Sequence, residues 1–184
     1  KATVRFNGPF TAGLHQTFAG AGHAHFGPGA VGEVYPQWWG ASPASSDSSP
    51  AINKAINSAP TLPGVNVRLT GQFNCKTTIH VNRHRVKLIG DGMYSTQLTF
   101  APDTPAALFE FSHPDKSVIA QCAIRDIGLL AAGAYKDTKR VQKIGIRIVD
   151  ADIMEVRNVA IHNWGGSQSI GIQVQGRELI FVEN

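Results

Sequence analysis

"IGIRIVDADIMEVRN" occupies positions 144–158, and twenty-six residues further on the chain reads "IGIQVQGRELIFVEN" over 170–184. Ile144, Gly145, Ile146, Val156 and Asn158 recur unchanged as Ile170, Gly171, Ile172, Val182 and Asn184. Ile148, Ile153 and Met154 become Val174, Leu179 and Ile180, so apolar positions stay apolar, whereas Asp150 becomes Gly176 and Ala151 becomes Arg177. A buried face is kept while a wet face drifts. Repetition of this kind belongs to a solenoid, in which no single layer can bury its own apolar side and each needs a neighbour above and below.

The same pattern extends backwards. Ile124-Arg125-Asp126-Ile127 matches Val156-Arg157-Asn158-Val159 at an offset of thirty-two, and the six extra residues fit the loop "AAGAYKDTKRVQK" at 131–143. Asp126, Asn158 and Asn184 each fall two places after a β-branched strand residue, Ile124, Val156 and Val182, where an Asx side chain can bond its own backbone, turn the chain and stack into a ladder. Leucine-rich repeats share a period in the twenties, and "IRDIGL" and "VRNVAI" imitate their core. They need a helical convex side, however, and here the return path "IGIRIVDADIMEV" is itself Ile/Val-rich and strand-like. The pattern predicts an all-β chain, a right-handed parallel β-helix with several short strands per turn.

Upstream, short β-branched runs such as "VNVRLTG", "TIHV", "VKLIG" and "QLTF" follow one another with no helix between them, which excludes a doubly wound α/β sheet. One helix is expected over 50–59, with Ser49 as N-cap, Pro50 at the first position and Ala51, Ile52, Ala55, Ile56 and Ala59 on one face. Residues 1–34 carry Phe10, Phe18 and Phe26 at eight-residue spacing between Gly-rich segments, the pattern of short strands and tight turns. The expected organisation is a Gly-rich β head at 1–40, a linker and capping helix at 41–64, and β-helix turns over 65–184.

Composition narrows the function classes. Of the 184 residues, 42% are hydrophobic and only 16% charged, against disorder; nineteen Gly and ten Pro favour many turns. A net charge of +4 without a basic stripe and interleaved aromatics gives no nucleic-acid signature. No apolar run approaches a membrane span, and no secretory signal opens the chain. The first residue is Lys, which fits a processed chain or a fragment. Cys75 and Cys122 make neither a disulfide framework nor a metal site and read as buried thiols.

"EVYPQWWGA", a polar spacer, "SSPAINKAINSA", "VRLTGQFNCKTTIHV" and "VKLIGDGMYSTQLTF" together resemble the start of a pectate-lyase-like parallel β-helix, as in bacteriophage tailspikes and bacterial polysaccharide-degrading proteins. The resemblance is good from about Val31 to Phe100. It implies a helix over the open end of the first turn, then a V-x-L-x-G-x-G-x-x-x-T-x-L turn matched from Val86 through Gly90, Gly92, Thr96 and Leu98. It also implies an extracellular, cell-surface or virion protein that binds or cuts polysaccharide. The spacer "SPASSDSSP" departs from the acidic, Gly-rich stretch of relatives. None of the "NTD", "DD", "GHG" and "RIK" signatures of the polygalacturonase-like members occurs, and no acidic calcium cluster with an arginine base is assignable, so no catalytic residue carries over.

Candidate residues remain. Glycoside hydrolysis needs two carboxylates roughly 5–9.5 Å apart. Asp150 and Asp152, if extended, point to one side about 7 Å apart, with Glu155 close by; the plainer reading of "VDAD" is a corner. Trp38, Trp39 and Tyr35 can stack on sugar rings or seal the head against the solenoid, and Trp164 in "HNWGGSQ" is the exposed-loop candidate for carbohydrate. "GDGM" at 90–93 lacks the third Gly and the helix of a dinucleotide fingerprint and reads as a turn. "HAH" at 23–25 and "HVNRHR" at 80–85 place no third metal ligand, so neither metal nor cofactor is expected. Lys136, Lys139, Arg140 and Lys143 are candidates to meet an anionic polysaccharide.

The last apolar strand, "ELIFVEN", leaves the solenoid open, so either the polypeptide continues or another copy closes it, as a trimer or by end-to-end stacking. Three functions follow: a polysaccharide-binding or depolymerising module, a self-assembling structural or adhesive protein, or a small lyase or hydrolase. The expected partners are a polysaccharide or cell-surface glycan and further copies of the chain.

Overall fold

The computed structural model describes residues 2–58, 62, 64–115, 117–133, 141–165, 168–176 and 180–183. Its strands are β1 (Thr3–Phe6), β2 (His23–Phe26) and β3 (Glu33–Val34), then, after a 3-10 turn at Pro36–Trp39 and helix α1 (Ser49–Ser58), β4 (Val65–Arg68), β5 (Gln72–Cys75) and β6 (Ile79–Val81). There follow β7 (Val86–Ile89), β8 (Gln97–Phe100), β9 (Ala106–Phe111), β10 (Ile119–Ala120), β11 (Ala123–Ala131) and β12 (Lys143–Val149). The chain ends with β13 (Ala151–Asp152), β14 (Met154–His162), β15 (Ile170–Gln175) and β16 (Ile180–Glu183).

Every pairing between these strands is parallel. An eight-stranded curled sheet runs β16-β14-β11-β7-β4-β3, with β5 and β8 continuing on the second half of β11; a four-stranded sheet runs β15-β12-β9-β6. Followed along the chain, strands fall on three rows in turn: β4, β5, β6, then β7, β8, β9, then the two halves of β11 and β12. The return path between layers is thus strand, as the Ile/Val-rich text required, and α1 is the one α-helix among the described residues.

The register reproduces the repeats read from sequence. Ile146 pairs with Ile172 and Ile148 with Val174 at an offset of twenty-six, and Ile124 pairs with Val156 and Ile127 with Val159 at thirty-two. Leu130 still opposes His162 at the longer offset while Ile144 already opposes Ile170 at the shorter, so the six extra residues lie between Leu130 and Ile144. Inward columns result. Val67, Leu88, Ile124 and Val156 lie one over another and are buried, while Val182, next in the column, is 61% exposed. Phe111 and Ile148 are fully buried beneath Val174, which is 46% exposed.

Corners also stack. Asp126 and Asn158 both have positive φ, bend β11 and β14 in their middles, and are joined by a 2.6 Å hydrogen bond from Asn158 Nδ2 to Asp126 Oδ1. The expected ladder therefore exists between these two, and its third rung, Asn184, lies outside the described residues. A second column of positive φ runs through Gly64, Arg85, Gln121 and Ile153, which the register of the adjoining strands superposes. No local sequence signal marks it, since only its first member is Gly. Gly90 sits where an added Cβ would strike the carbonyl oxygen of Asp126 in the next layer, so a layer spacing set by backbone contact fixes that residue.

The helix differs in its cap. Asp47 Oδ1 accepts from Ser49 N–H, and Ser48 carbonyl accepts from Ile52 N–H, so Ser49 is the first helical residue and is buried. The exclusion of proline N–H from the first turn still holds, with Pro50 one place further in. Ala51, Ile52, Ala55 and Ile56 face inward as expected, while Ala59 lies outside the described residues. Asn53 covers part of the free edge of β6: its Nδ2 donates to Thr78 carbonyl and its Oδ1 accepts from His80 N–H. The N-terminal aromatics are not a set of hairpins. Strands β1 and β2 are parallel, and Phe6, Phe10, Phe18 and Phe26 form a cluster against Trp38 and Trp39, with Phe10 and Phe18 in irregular segments.

Thr96 clasps two layers. Its buried hydroxyl donates to Leu69 carbonyl at 2.8 Å and accepts from Asp91 N–H at 2.9 Å. Thr96→Val leaves both backbone groups unpaired and is expected to cost about 1–3 kcal/mol, with Thr96→Ser much milder, as measured by chemical denaturation. Ile153 holds φ of 54° with a β-branched side chain that is 44% exposed. Because Asn tolerates this region, Ile153→Asn is expected to stabilise the fold by about 1 kcal/mol in the same measurement.

Candidate functional site

Strands pleat, so residues flanking each inward column point outward. On the first row these are Asn66, Lys87, Ala123, Glu155 and Phe181, one per strand across β4, β7, β11, β14 and β16. They form the floor of an open groove of about 600 Å³. The positive-φ residues Arg85, Gln121 and Ile153 form one side of it, and Arg125 reaches in from the other. Beyond the first side lies a recess of about 300 Å³ that includes His84 and Asp152.

Charge in the groove is uneven. Arg85, Lys87 and Arg125 are cationic, and Glu155 is the one carboxylate among the described lining residues. That carboxylate is already engaged, with Oε2 held by Arg125 and Oε1 lying 3.3 Å from Arg157 Nε. Arg125 keeps a buried Nε–H with no acceptor. Arg85 Nε donates to Gln121 Oε1 at 2.7 Å, tying two layers together along the rim.

The sequence candidates are scattered. Asp150 is not extended: its φ of 47° makes it a corner stacked over Gly176, whose added Cβ would strike the Asp150 carboxylate. The same-side geometry expected for Asp150 and Asp152 therefore fails, because it assumed a straight strand. Asp152 lies in the side recess, Glu155 in the groove, and Asp150 in neither. Trp38 and Trp39 are 2% and 8% exposed, with ring centroids 5.1 Å from those of Phe10 and Phe18, and that burial closes them to a sugar. Trp38 Nε1 also donates to Gly13 carbonyl. Trp164 is not an open-loop platform either. It stacks on Phe100 at 6.3 Å and donates from Nε1 to Lys143 carbonyl. Lys143 is buried, with its Nζ donating to Val141 carbonyl, while Lys136, Lys139 and Arg140 lie outside the described residues.

The other motifs take structural places. "GDGM" is a turn closed by Thr96 N–H on Gly92 carbonyl. The rings of His23 and His25 stack at 6.2 Å, and no group of three His, Cys, Asp or Glu suited to a metal is formed among the described residues. Cys75 and Cys122 are free and buried, and burial pushes their thiols up to about 12 and about 11. No described helix is long and apolar enough to cross a membrane. The groove itself went unread because each residue of its floor comes from a different layer. Its only local trace is the outward polar alternation of "VNVR" and "VKLI".

A second cavity of about 430 Å³ opens where the N-terminal segment meets the sheet, lined by Glu33, Tyr35, Arg68 and Asp91 among others. Arg68 pairs with Glu33 at 2.9 Å and lies 3.7 Å from Asp91, and Tyr35 donates its hydroxyl to Glu33 at 2.9 Å. Burial pushes the Glu33 carboxyl upward, but the hydrogen bonds from Arg68 and Tyr35 outweigh it and hold the group below its ordinary value.

No family model matches the chain, and no curated protein matches it. Among solved structures, ORF18 of Geobacillus virus E2 is similar, with a TM-score of 0.56 and 20% identity over 70% of this chain and 25% of that one. At that identity the likeness is one of fold, and the chain spans about a quarter of that protein's length.

The Glu33 cluster sets a pH dependence. A carboxyl held below its unfolded value contributes stability that is fully present above that value and lost as pH falls through the folded one. The stability gap between wild type and Glu33→Gln is therefore expected to be widest near neutrality and to close as pH drops below about 4.5, followed by thermal melts from pH 7 to pH 3.

Proposed function

We propose that the protein is an extracellular or virion-borne module that binds polysaccharide along the outer groove of its parallel sheet. The observation that carries this reading is the groove itself, an open channel crossing five stacked strands and floored by one outward residue from each. Five strands at about 4.8 Å give a floor about 20 Å long, which suits an extended polymer better than a compact metabolite. Asn66 and Gln121 supply amide donors and acceptors of the kind that sugar hydroxyls engage.

Two further features support a tailspike-like assignment. Strands recur on three rows with parallel pairing throughout, and a connection between parallel strands of one sheet is almost always right-handed, so we read the winding as a right-handed parallel β-helix of the pectate-lyase-like kind. The fold is shared with a protein of a Geobacillus virus, which favours a virion setting. Binding without cleavage is the preferred form, because Asp150, Asp152 and Glu155 occupy three separate places and Glu155 is neutralised by arginines.

A second reading, self-association, is favoured by Val174 and Val182, whose equivalents in the preceding layers are all buried. A further layer, from a second copy in this reading or from the same polypeptide otherwise, would cover them.

On a panel of polysaccharides the protein is expected to retain at least one, and Asn66→Trp, which fills the groove from an outward position, is expected to abolish retention at an unchanged melting temperature. Retention that survives Asn66→Trp would move binding off the groove. Light scattering of the same sample tests the second reading, which requires species larger than the monomer that Val182→Glu disperses.

A further inference from the structure

We infer that the ligand of the groove is an acidic polysaccharide whose carboxylates are met directly by Arg85, Lys87 and Arg125, with no bridging metal ion. This rests on the assignment of the groove as the polysaccharide site and adds the charge of the sugar and the mode of its recognition.

The argument begins with what the protein leaves unpaired. Lys87 points outward from the second of the five floor strands and has no ion pair or hydrogen bond among the described residues. Arg85 spends Nε on Gln121 and keeps both terminal nitrogens of its fork without a partner among the described residues. Arg125 gives one terminal nitrogen to Glu155 and keeps the other without a partner among the described residues, while its Nε–H is buried. Unpartnered terminal nitrogens of a guanidinium are open donors, and a planar carboxylate is the acceptor that such a fork fits best.

The three cations are also neighbours. Arg85, at the corner just before β7, stands two residues from Lys87 on that strand. Lys87 is the register partner of Ala123, two residues before Arg125 on the adjoining strand, about 4.8 Å away. Against them stands one carboxylate, Glu155, with both oxygens already facing arginines. The groove therefore carries a net positive field focused on its centre.

A bridging divalent cation would need several carboxylate or carbonyl oxygens converging on one point. Glu155 alone, flanked by Arg125 and Arg157, offers the reverse, so contact between sugar carboxylate and protein cation is direct. A nucleic acid is the competing polyanion. It would call for aromatic platforms between the cations, and Phe181 is the one aromatic residue in the described lining, set at the far end of the floor from Asn66. Amide side chains beside isolated cations fit a chain of hydroxyls with spaced carboxylates.

The test is affinity electrophoresis of the whole chain through polygalacturonate, alginate, dextran and single-stranded DNA, each with EDTA, at 50 and 500 mM NaCl. Retention by a polyuronate in EDTA that weakens with salt, and that falls at least tenfold in Lys87→Glu and severalfold in Arg85→Gln at unchanged melting temperature, is the expected result. If Lys87→Glu does not fold, Lys87→Gln carries the comparison with a smaller expected loss. Retention by dextran that Lys87→Glu leaves intact would overturn the acidic ligand while leaving the groove as a neutral-sugar site. Dependence on added calcium would overturn direct contact, and preference for DNA would overturn the polysaccharide. Retention by none of the four at either salt would remove the inference, and the broader panel with Asn66→Trp then decides the groove separately.

Discussion

In-register parallel stacking is the constraint from which the rest of this molecule follows. A strand layer with Val67 or Ile124 on its inner side has nothing of its own to cover that side, and only the equivalent side chain of the next layer does so. Parallel pairing makes the cover exact in position, because residues at the same place in successive layers face each other through the backbone ladder. Corners must then coincide as well. If one layer turns at Asp126, the next must turn at Asn158, or the ladder on one side of the bend slips by a residue and reverses every side chain beyond it.

That coupling explains why some backbone conformations are held by residues poorly suited to them. Gly64 adopts positive φ freely, but Arg85, Gln121 and Ile153 adopt it because the layers on either side turn there. Ile153 bears the largest steric penalty, and its position in the column over Gln121 leaves it no alternative that preserves the pairing of β10 with β13. A gain comes with the penalty. The column projects Arg85 and Gln121 sideways at the edge of the sheet, where they form a wall of the groove instead of lying flat on a strand.

How much of this the sequence discloses depends on whether the relevant residues repeat. The layers were legible from Ile144, Ile146 and Val156 recurring as Ile170, Ile172 and Val182, because burial selects the same side-chain type at each turn. The Asp126–Asn158 ladder was legible because Asx is among the few residue types that suit a positive-φ corner. The column through Arg85 and Gln121 was not, since its members share a conformation and no chemistry. Trp38, Trp39 and Trp164 misled for a related reason: sequence shows an aromatic beside glycines or in a loop, and only packing shows that their rings are already engaged by Phe10, Phe18 and Phe100. Asp150 and Asp152 misled because their geometry presumed an extended backbone that the turn at Asp150 removes.

The groove was the least legible feature, and the same constraint accounts for it. Inward positions are bound to their neighbours above and below, so they converge on aliphatic residues and write a visible repeat. Outward positions are not held to one side-chain type by a buried column, so Asn66, Lys87, Ala123, Glu155 and Phe181 share a row without sharing a property. A surface released from the repeat is the one place where such a stack of parallel strands can carry individual chemistry at a fixed spacing. Glu155 shows the limit of that freedom: placed between Arg125 on the adjoining strand and Arg157 on its own, it is drawn into pairs with both, so the one acid of the described lining serves to orient arginines and leaves Lys87 and Arg85 to define the charge of the groove.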